Sequence, residues 1–222
     1  MKKLLKGLVP CILLLQSVII HAQQALPFWN EIQAFKRQDS IRLPPAEAIL
    51  FTGSSSFRLW DSIKKSFPSH TIINRGFGGS SLPDMIRYAD DLLLPYSPKQ
   101  IVIYCGENDI AGSDSATGEM VFERFKELFM LIRQKLPATP VAYVSMKPSP
   151  SRWHLKEKMM VGNRLIKSFL QQNKNTAFID VWPSMLTAEG LPMNDIFKED
   201  KLHMTPKGYA IWQKIIEPYL LN

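Results

Sequence analysis

Cysteine is nearly absent: only Cys11 and Cys105 occur in 222 residues. Such a pair supports neither a disulfide-stapled framework nor a cysteine zinc site, the more so because Cys11 falls in a segment expected to be removed. Low-complexity sequence is missing too. The 11 glycines and 16 prolines are scattered, which excludes collagen-like and linker-like stretches, and no repeat of solenoid length occurs. Basic residues outnumber acidic ones, 27 to 20, but no Lys/Arg run interleaved with aromatics appears. The excess therefore reads as a solvated surface and not as a nucleic-acid footprint. What is present, 45% hydrophobic and 21% charged residues, suits one globular domain with a real core.

The amino terminus has a different character. Lys2, Lys3 and Lys6 precede an apolar run from Leu8 to Ile20, broken by Pro10 and Gln16, and Ala22 supplies a small residue before Gln23. This is the pattern of a secretory signal peptide over residues 1–22, with a mature domain over 23–222. The run falls short of the roughly 20 residues that span a bilayer, so no stable membrane anchor is expected. Cys11 precedes the apolar run and follows Pro10, which does not suit a lipid-anchored terminus.

Along the rest of the chain, short apolar runs alternate with longer amphipathic ones. Strands are expected at Ala48 to Thr52, Thr71 to Asn74, Gln100 to Cys105, Val141 to Met146 and Thr176 to Val181, rich in Ile, Val, Phe and Tyr. Apolar residues at consecutive positions indicate strands covered on both faces. Helices are expected at Phe57 to Phe67, Pro83 to Leu94, Thr117 to Leu136, Trp153 to Gln172 and Pro206 to Tyr219, the last with Thr205 as N-cap. Five strand-helix alternations predict an α/β fold with a five-stranded parallel sheet. Ligands of such sheets bind beyond the carboxyl ends of the strands.

Those ends carry small and polar residues: Gly53-Ser54-Ser55-Ser56, Asn74 to Ser80 with Gly76, Gly78 and Gly79, and Gly106-Glu107-Asn108-Asp109. Later, Asp200-Lys201-Leu202-His203 leads into the final helix. The chemistry that needs this set is acyl transfer. A serine hydroxyl becomes a good nucleophile when an imidazole takes its proton, and a carboxylate on the other ring nitrogen fixes the tautomer. The three-residue spacing of Asp200 and His203 lets one turn present the carboxylate to the ring. The backbone N–H of a glycine such as Gly79 and the side-chain amide of Asn108 could complete an oxyanion hole.

In these four ordered blocks the chain resembles the SGNH, or GDSL-like, hydrolase family. By that resemblance Ser55 corresponds to the nucleophile, Asp200 and His203 to the acid and base, and Gly79 and Asn108 to the oxyanion hole. The implied fold is a flavodoxin-like three-layer α/β/α sandwich, with no metal or organic cofactor, acting on esters and thioesters. The chain departs from the pattern at Ser54, where the family's first block has aspartate. This leaves three adjacent serines, of which Ser55 is favoured by register, while Ser54 and Ser56 are expected to face elsewhere.

His70 and His154 read as loop and helix-surface residues, and Cys105 as a packed small hydrophobe. Arg75, Lys147 and Arg152 follow strand ends and either line the mouth of the site or are solvated. Phe57, Phe77 and Trp153 are the large apolar residues near the blocks, and the segments after the strands are otherwise short and polar. The expected function is a secreted, extracytoplasmic serine esterase that removes short acyl groups, acetyl foremost, from a small-molecule or carbohydrate ester. The alternatives are a lipid, lysophospholipid or platelet-activating-factor-acetylhydrolase-like esterase, and a catalytically dead glycan-binding module.

Overall fold

Segments of β-branched and aromatic residues form five strands: β1 (Ile49–Gly53), β2 (Ile72–Gly76), β3 (Gln100–Tyr104), β4 (Val141–Val144) and β5 (Thr176–Ile179). All pair in parallel in the order β2-β1-β3-β4-β5, that of flavodoxin-like sheets. The computed structural model describes residues 26–222, so the signal peptide expected over 1–22 lies outside the described residues. The helices are α1 (Trp29–Ile41), α2 (Ser55–Arg58), α3 (Ile63–Ser66), α4 (Leu82–Arg87), α5 (Ala89–Leu92), α6 (Glu107–Ala111), α7 (Gly118–Lys135), α8 (Lys156–Gln171) and α9 (Pro206–Ile216).

Side-chain alternation along the strands sorts the core into two layers. Leu50, Ile101, Ile103, Val141 and Tyr143 join one cluster with residues of α1, α4, α5, α7 and α8. Ile49, Phe51, Val102, Tyr104, Ala142 and Val144 join the other, with Phe57 of α2, Ile63 of α3, and Trp212 and Ile216 of α9. Helix α7 shows how the sequence produces this. Thr117 caps it by accepting from the Met120 N–H at 3.3 Å, and Val121, Phe125, Leu128, Phe129 and Ile132 line its buried stripe. Truncating a fully buried ring such as Phe125 to alanine costs about 3–5 kcal/mol.

The expected elements differ from the observed ones where side chains beyond the local window intervene. Phe57 to Phe67 is two one-turn helices, α2 and α3, because Trp60 turns into the core between them and its indole N–H bonds Ser66 Oγ at 3.2 Å. Pro83 to Leu94 breaks at Tyr88, which leaves helical geometry and donates its hydroxyl to the Pro27 carbonyl at 2.7 Å. The helix expected from Trp153 begins instead as a 3-10 segment, Pro150–Leu155, before α8, and α9 ends at Ile216 with a 3-10 turn beyond. Thr205 occupies the N-cap position of α9, but its side chain makes no capping bond and its hydroxyl is buried without a partner. Helix α1 was not expected: of its residues only Ile32 is fully buried, so its apolar periodicity is weak.

Gly53 ends β1 at a point that admits no side chain. Its φ is +130°, and a Cβ there would lie 2.0 Å from the Tyr104 carbonyl oxygen. Strand β1 can therefore lie against β3 at this point only with glycine, and the sheet delivers Ser54 and Ser55 beside the residues that follow β3.

Candidate active site

The strand order reverses about β1, and the crevice there gathers the four sequence blocks. Ser55 opens α2 directly after β1, with Ser54 extended before it. His203 Nε2 lies 3.0 Å from Ser55 Oγ, and His203 Nδ1 lies 2.6 Å from Asp200 Oδ2. The turn between acid and base closes on itself: Asp200 Oδ1 accepts from the backbone N–H of Leu202 and of His203, both at 2.9 Å. Lys201 takes the left-handed conformation, φ +56°, to make this possible. Partial burial raises the Asp200 pKa, but the bonds from the His203 ring and the two N–H groups outweigh it and hold the carboxyl at about 2. An ionised Asp200 assigns the proton to Nδ1, which leaves Nε2 free to accept from the Ser55 hydroxyl.

The Asn108 amide lies across the crevice in α6. Its Nδ2 donates to the Ser80 carbonyl at 2.9 Å and to Ser54 Oγ at 2.8 Å, while its Oδ1 accepts from Arg152 Nη2 at 2.7 Å. Ser54 thus faces into the site, contrary to the expectation that it points elsewhere. The cause is its extended backbone, which turns its hydroxyl toward α6 before the chain enters α2. Ser56 is buried too: its carbonyl accepts from the Tyr209 hydroxyl at 2.9 Å, yet it also borders the cavity at Ser55, so it does not simply face elsewhere. The nearest atom to a Cβ at Gly79 would be Asn108 Nδ2, at 3.9 Å. Neither crowding nor a positive φ demands glycine there, and the missing side chain leaves the approach to the amide open. The preceding residue is anchored by α1, whose Glu31 Oε2 accepts from the Gly78 N–H at 2.9 Å.

Beneath Asn108 lies a buried charged cluster. Glu107 accepts from Lys147 Nζ at 3.1 and 3.2 Å, from the Lys147 backbone N–H at 3.0 Å, from Arg152 Nη1 at 3.2 Å and from the Tyr104 hydroxyl. Burial pushes its pKa up, but the Lys147 ammonium, then the Arg152 guanidinium and the Tyr104 hydroxyl, hold it below the usual carboxylate range. Lys147 is only 1% exposed, so the solvated alternative fails for it. Arg75 is buried as well, bonded to Asp39 and Tyr96 away from these residues. Asp109, next along α6, ties the block to its neighbours by accepting from the Leu82 N–H at 3.0 Å and from Arg124 at 2.8 Å.

The other residues singled out by sequence stand outside the chemistry. Phe57 and Phe77 are wholly buried in the core, and Trp153 is half-buried and stacks on Trp182. Cys105 is buried, and burial raises its thiol pKa well above the ordinary value. His70 bonds the Leu221 carbonyl, and His154 lies on the exposed 3-10 segment. Among the described residues no group of three or more His, Cys, Asp or Glu side chains could hold a metal, and no helix is long and apolar enough to cross a membrane. A cavity of about 10 Å³ adjoins Ser55, lined by Ser54, Ser56, Tyr104, Asn108, Arg152 and Leu202 among others. A groove of about 560 Å³ between α1 and β2 shares no residue with it. The small cavity, not the large groove, touches Ser55.

The profile of the GDSL-like Lipase/Acylhydrolase family matches residues 50–211. No match was found among curated proteins. Among solved structures, a Streptococcus pneumonia protein named for platelet activating factor superposes with a TM-score of 0.76 at 21% identity, covering 86% of this chain and 92% of that one. A GDSL-like lipase from Bacteroides thetaiotaomicron gives 0.72 at 21% identity, covering 85% and 96%. A variant of an acetyl-xylooligosaccharide esterase from Geobacillus Stearmophilus gives 0.60 at 11% identity, covering 78% and 93%. At these identities the likeness speaks for the fold.

Proposed function

The chain belongs to the GDSL-like lipase/acylhydrolase family and is a carboxylic ester hydrolase, and from that premise we propose that it removes short acyl groups, acetyl first, from carbohydrate esters by way of an acyl-Ser55 intermediate. His203 takes the Ser55 proton as the oxygen attacks the ester carbonyl, and Asp200 stabilises the imidazolium. The Gly79 N–H and the Asn108 amide receive the oxyanion. Collapse of the tetrahedral adduct expels the alcohol, protonated by His203, and water repeats the sequence to release the acid.

The observation that carries the acyl-length part is the cavity of about 10 Å³ at Ser55. That is about the volume of one water-sized probe, so it leaves no room for a long acyl chain. A longer acyl group would lie along a polar rim, where no apolar wall offsets the cost of ordering it. The acetyl-xylooligosaccharide esterase among the structural neighbours supports the carbohydrate part. The relative named for platelet activating factor supports the competing lipid reading. An unbroken Ser55-His203-Asp200 hydrogen-bond chain speaks against an inert glycan-binding module. Export belongs to the proposal through residues 1–22, and terminal sequencing of protein recovered outside the cytoplasm is expected to begin near Gln23.

The test is kcat/KM across nitrophenyl esters of graded length, beside acetylated oligosaccharides. Activity is expected to fall once the chain exceeds about four carbons, and Ser55→Ala is expected to abolish labelling by a fluorophosphonate. A steady rise from acetate to decanoate would replace the carbohydrate reading with the lipid one.

A further inference from the structure

Arg152 lies 44 residues from Asn108 in sequence, at the start of the 3-10 segment beyond β4, yet its guanidinium closes on the Asn108 side chain. We propose that Arg152 is a positioning residue for ester hydrolysis: it fixes and polarises the Asn108 amide so that one of its N–H groups faces the Ser54-Ser55 side of the crevice, where the reacting carbonyl would lie. This rests on the reading of Asn108 as an oxyanion donor.

The geometry makes the orientation one-way. A side-chain amide can flip by half a turn, exchanging oxygen and nitrogen. In the observed orientation Oδ1 accepts from Arg152 Nη2 at 2.7 Å and Nδ2 donates to the Ser80 carbonyl at 2.9 Å. A flip would set the NH₂ against a guanidinium N–H and the amide oxygen against the Ser80 carbonyl, so both contacts become repulsive. The remaining amide hydrogen points at Ser54 Oγ, beside the nucleophile.

Arg152 is itself held by its other arm, with Nη1 on Glu107 Oε2 at 3.2 Å, and Glu107 is held in turn by Lys147. A planar guanidinium holds its two terminal NH₂ groups at fixed spacing, so it spans carboxylate and amide in one set geometry, which the rotatable donors of a lysine ammonium do not impose. The Glu107 carboxylate stands here between two cations, so the Arg152 guanidinium is held against the amide. A charge-assisted bond on the amide oxygen makes its N–H groups stronger donors, and this is worth most when negative charge develops before them.

The experiment is a double-mutant cycle on nitrophenyl acetate with Asn108→Ala, Arg152→Met and the combined protein. Arg152→Met is expected to lower kcat by about 10- to 100-fold with KM within about threefold, less than the roughly 10²- to 10³-fold from losing the donor itself. In the Asn108→Ala background the second substitution is expected to cost less than about twofold, since its target is gone. Should Arg152→Met not fold, Arg152→Lys keeps a cation beside Glu107 and enters the same cycle. Additive losses, a raised KM at unchanged kcat, or full kcat in Arg152→Lys would each overturn the inference while leaving the oxyanion reading in place. A normal kcat in Asn108→Ala would overturn the reading of the hole, and the inference with it.

Discussion

The two sides of the crevice are built in opposite ways. The Asp200-His203 side, the proposed base, is one short exposed turn: Asp200 has a side chain 47% exposed, and its partners lie within three residues of it. The Asn108 side, the proposed oxyanion hole, is largely buried and assembled from distant pieces, with Asn108 and Glu107 of α6 meeting Lys147 and Arg152 from beyond β4, and Ser54 from the end of β1. Each construction suits its task. An imidazole that shuttles protons to an alcohol and then from water needs access to solvent. A hole that receives developing charge works by being oriented beforehand, which a buried network with few alternative arrangements supplies.

The comparison breaks most sharply at the base. His203→Ala is expected to lower kcat by about 10⁴-fold or more while leaving thermal unfolding close to wild type, because the exposed turn carries little of the core. Wild-type turnover by this variant would remove His203 from the chemistry. On the buried side the balance reverses toward stability. Glu107→Ala leaves the Lys147 ammonium buried and without its carboxylate, and is expected to cost about 3–5 kcal/mol in denaturant unfolding. A loss under 1 kcal/mol would mean that the cluster is solvated.

Gly79→Ala separates the two kinds of effect. Its methyl group would sit 3.9 Å from Asn108 Nδ2 without crowding or backbone strain, so the protein should unfold as wild type while kcat drops about 10- to 100-fold by misplacing the carbonyl. Unchanged kcat would show that the approach to the Asn108 amide tolerates a methyl group. The smallest effect concerns pH. Asp200 has a folded pKa of about 2 against an ordinary 3.8, so the stability from its bonds to His203 and Leu202 is complete above about pH 4 and lost as pH falls through about 2. A carboxyl titration followed by NMR should place the Asp200 midpoint near 2, and a midpoint near 4 would show that the turn is not closed in solution.

The same contrast explains what the sequence could disclose. The order of strands and helices was legible because two-sided burial leaves apolar runs at consecutive positions, as in Gln100–Tyr104. Asp200 and His203 were legible as a pair because three residues make one turn. Lys147 and Arg152 were legible only as strand-end charges that either line the mouth or are solvated, since only the sheet order brings them to Glu107 and Asn108 across 40 and 44 residues. Their position just beyond a strand's carboxyl end singled them out, but it reads equally well as solvated charge and names no partner. Glu31 was hidden for another reason. Helix α1 buries a single side chain completely, and a helix with so faint a stripe gives no reason to look for its carboxylate against the Gly78 N–H.

Gly53 has a consequence for how such an enzyme can vary. Ser55, the proposed nucleophile, leaves one of the two strands that touch there and the Asn108 amide follows the other, and their contact leaves 2.0 Å where a methyl group would need to fit. In a library randomised over positions 53 to 56 and selected for ester hydrolysis, position 53 should return glycine alone. Position 54, whose side chain only meets an amide hydrogen, should return several small hydrogen-bond acceptors. Substrate range is therefore free to drift at the rim and in the loops, while the spacing of attack and charge relief is inherited unchanged through a residue that contributes no side chain.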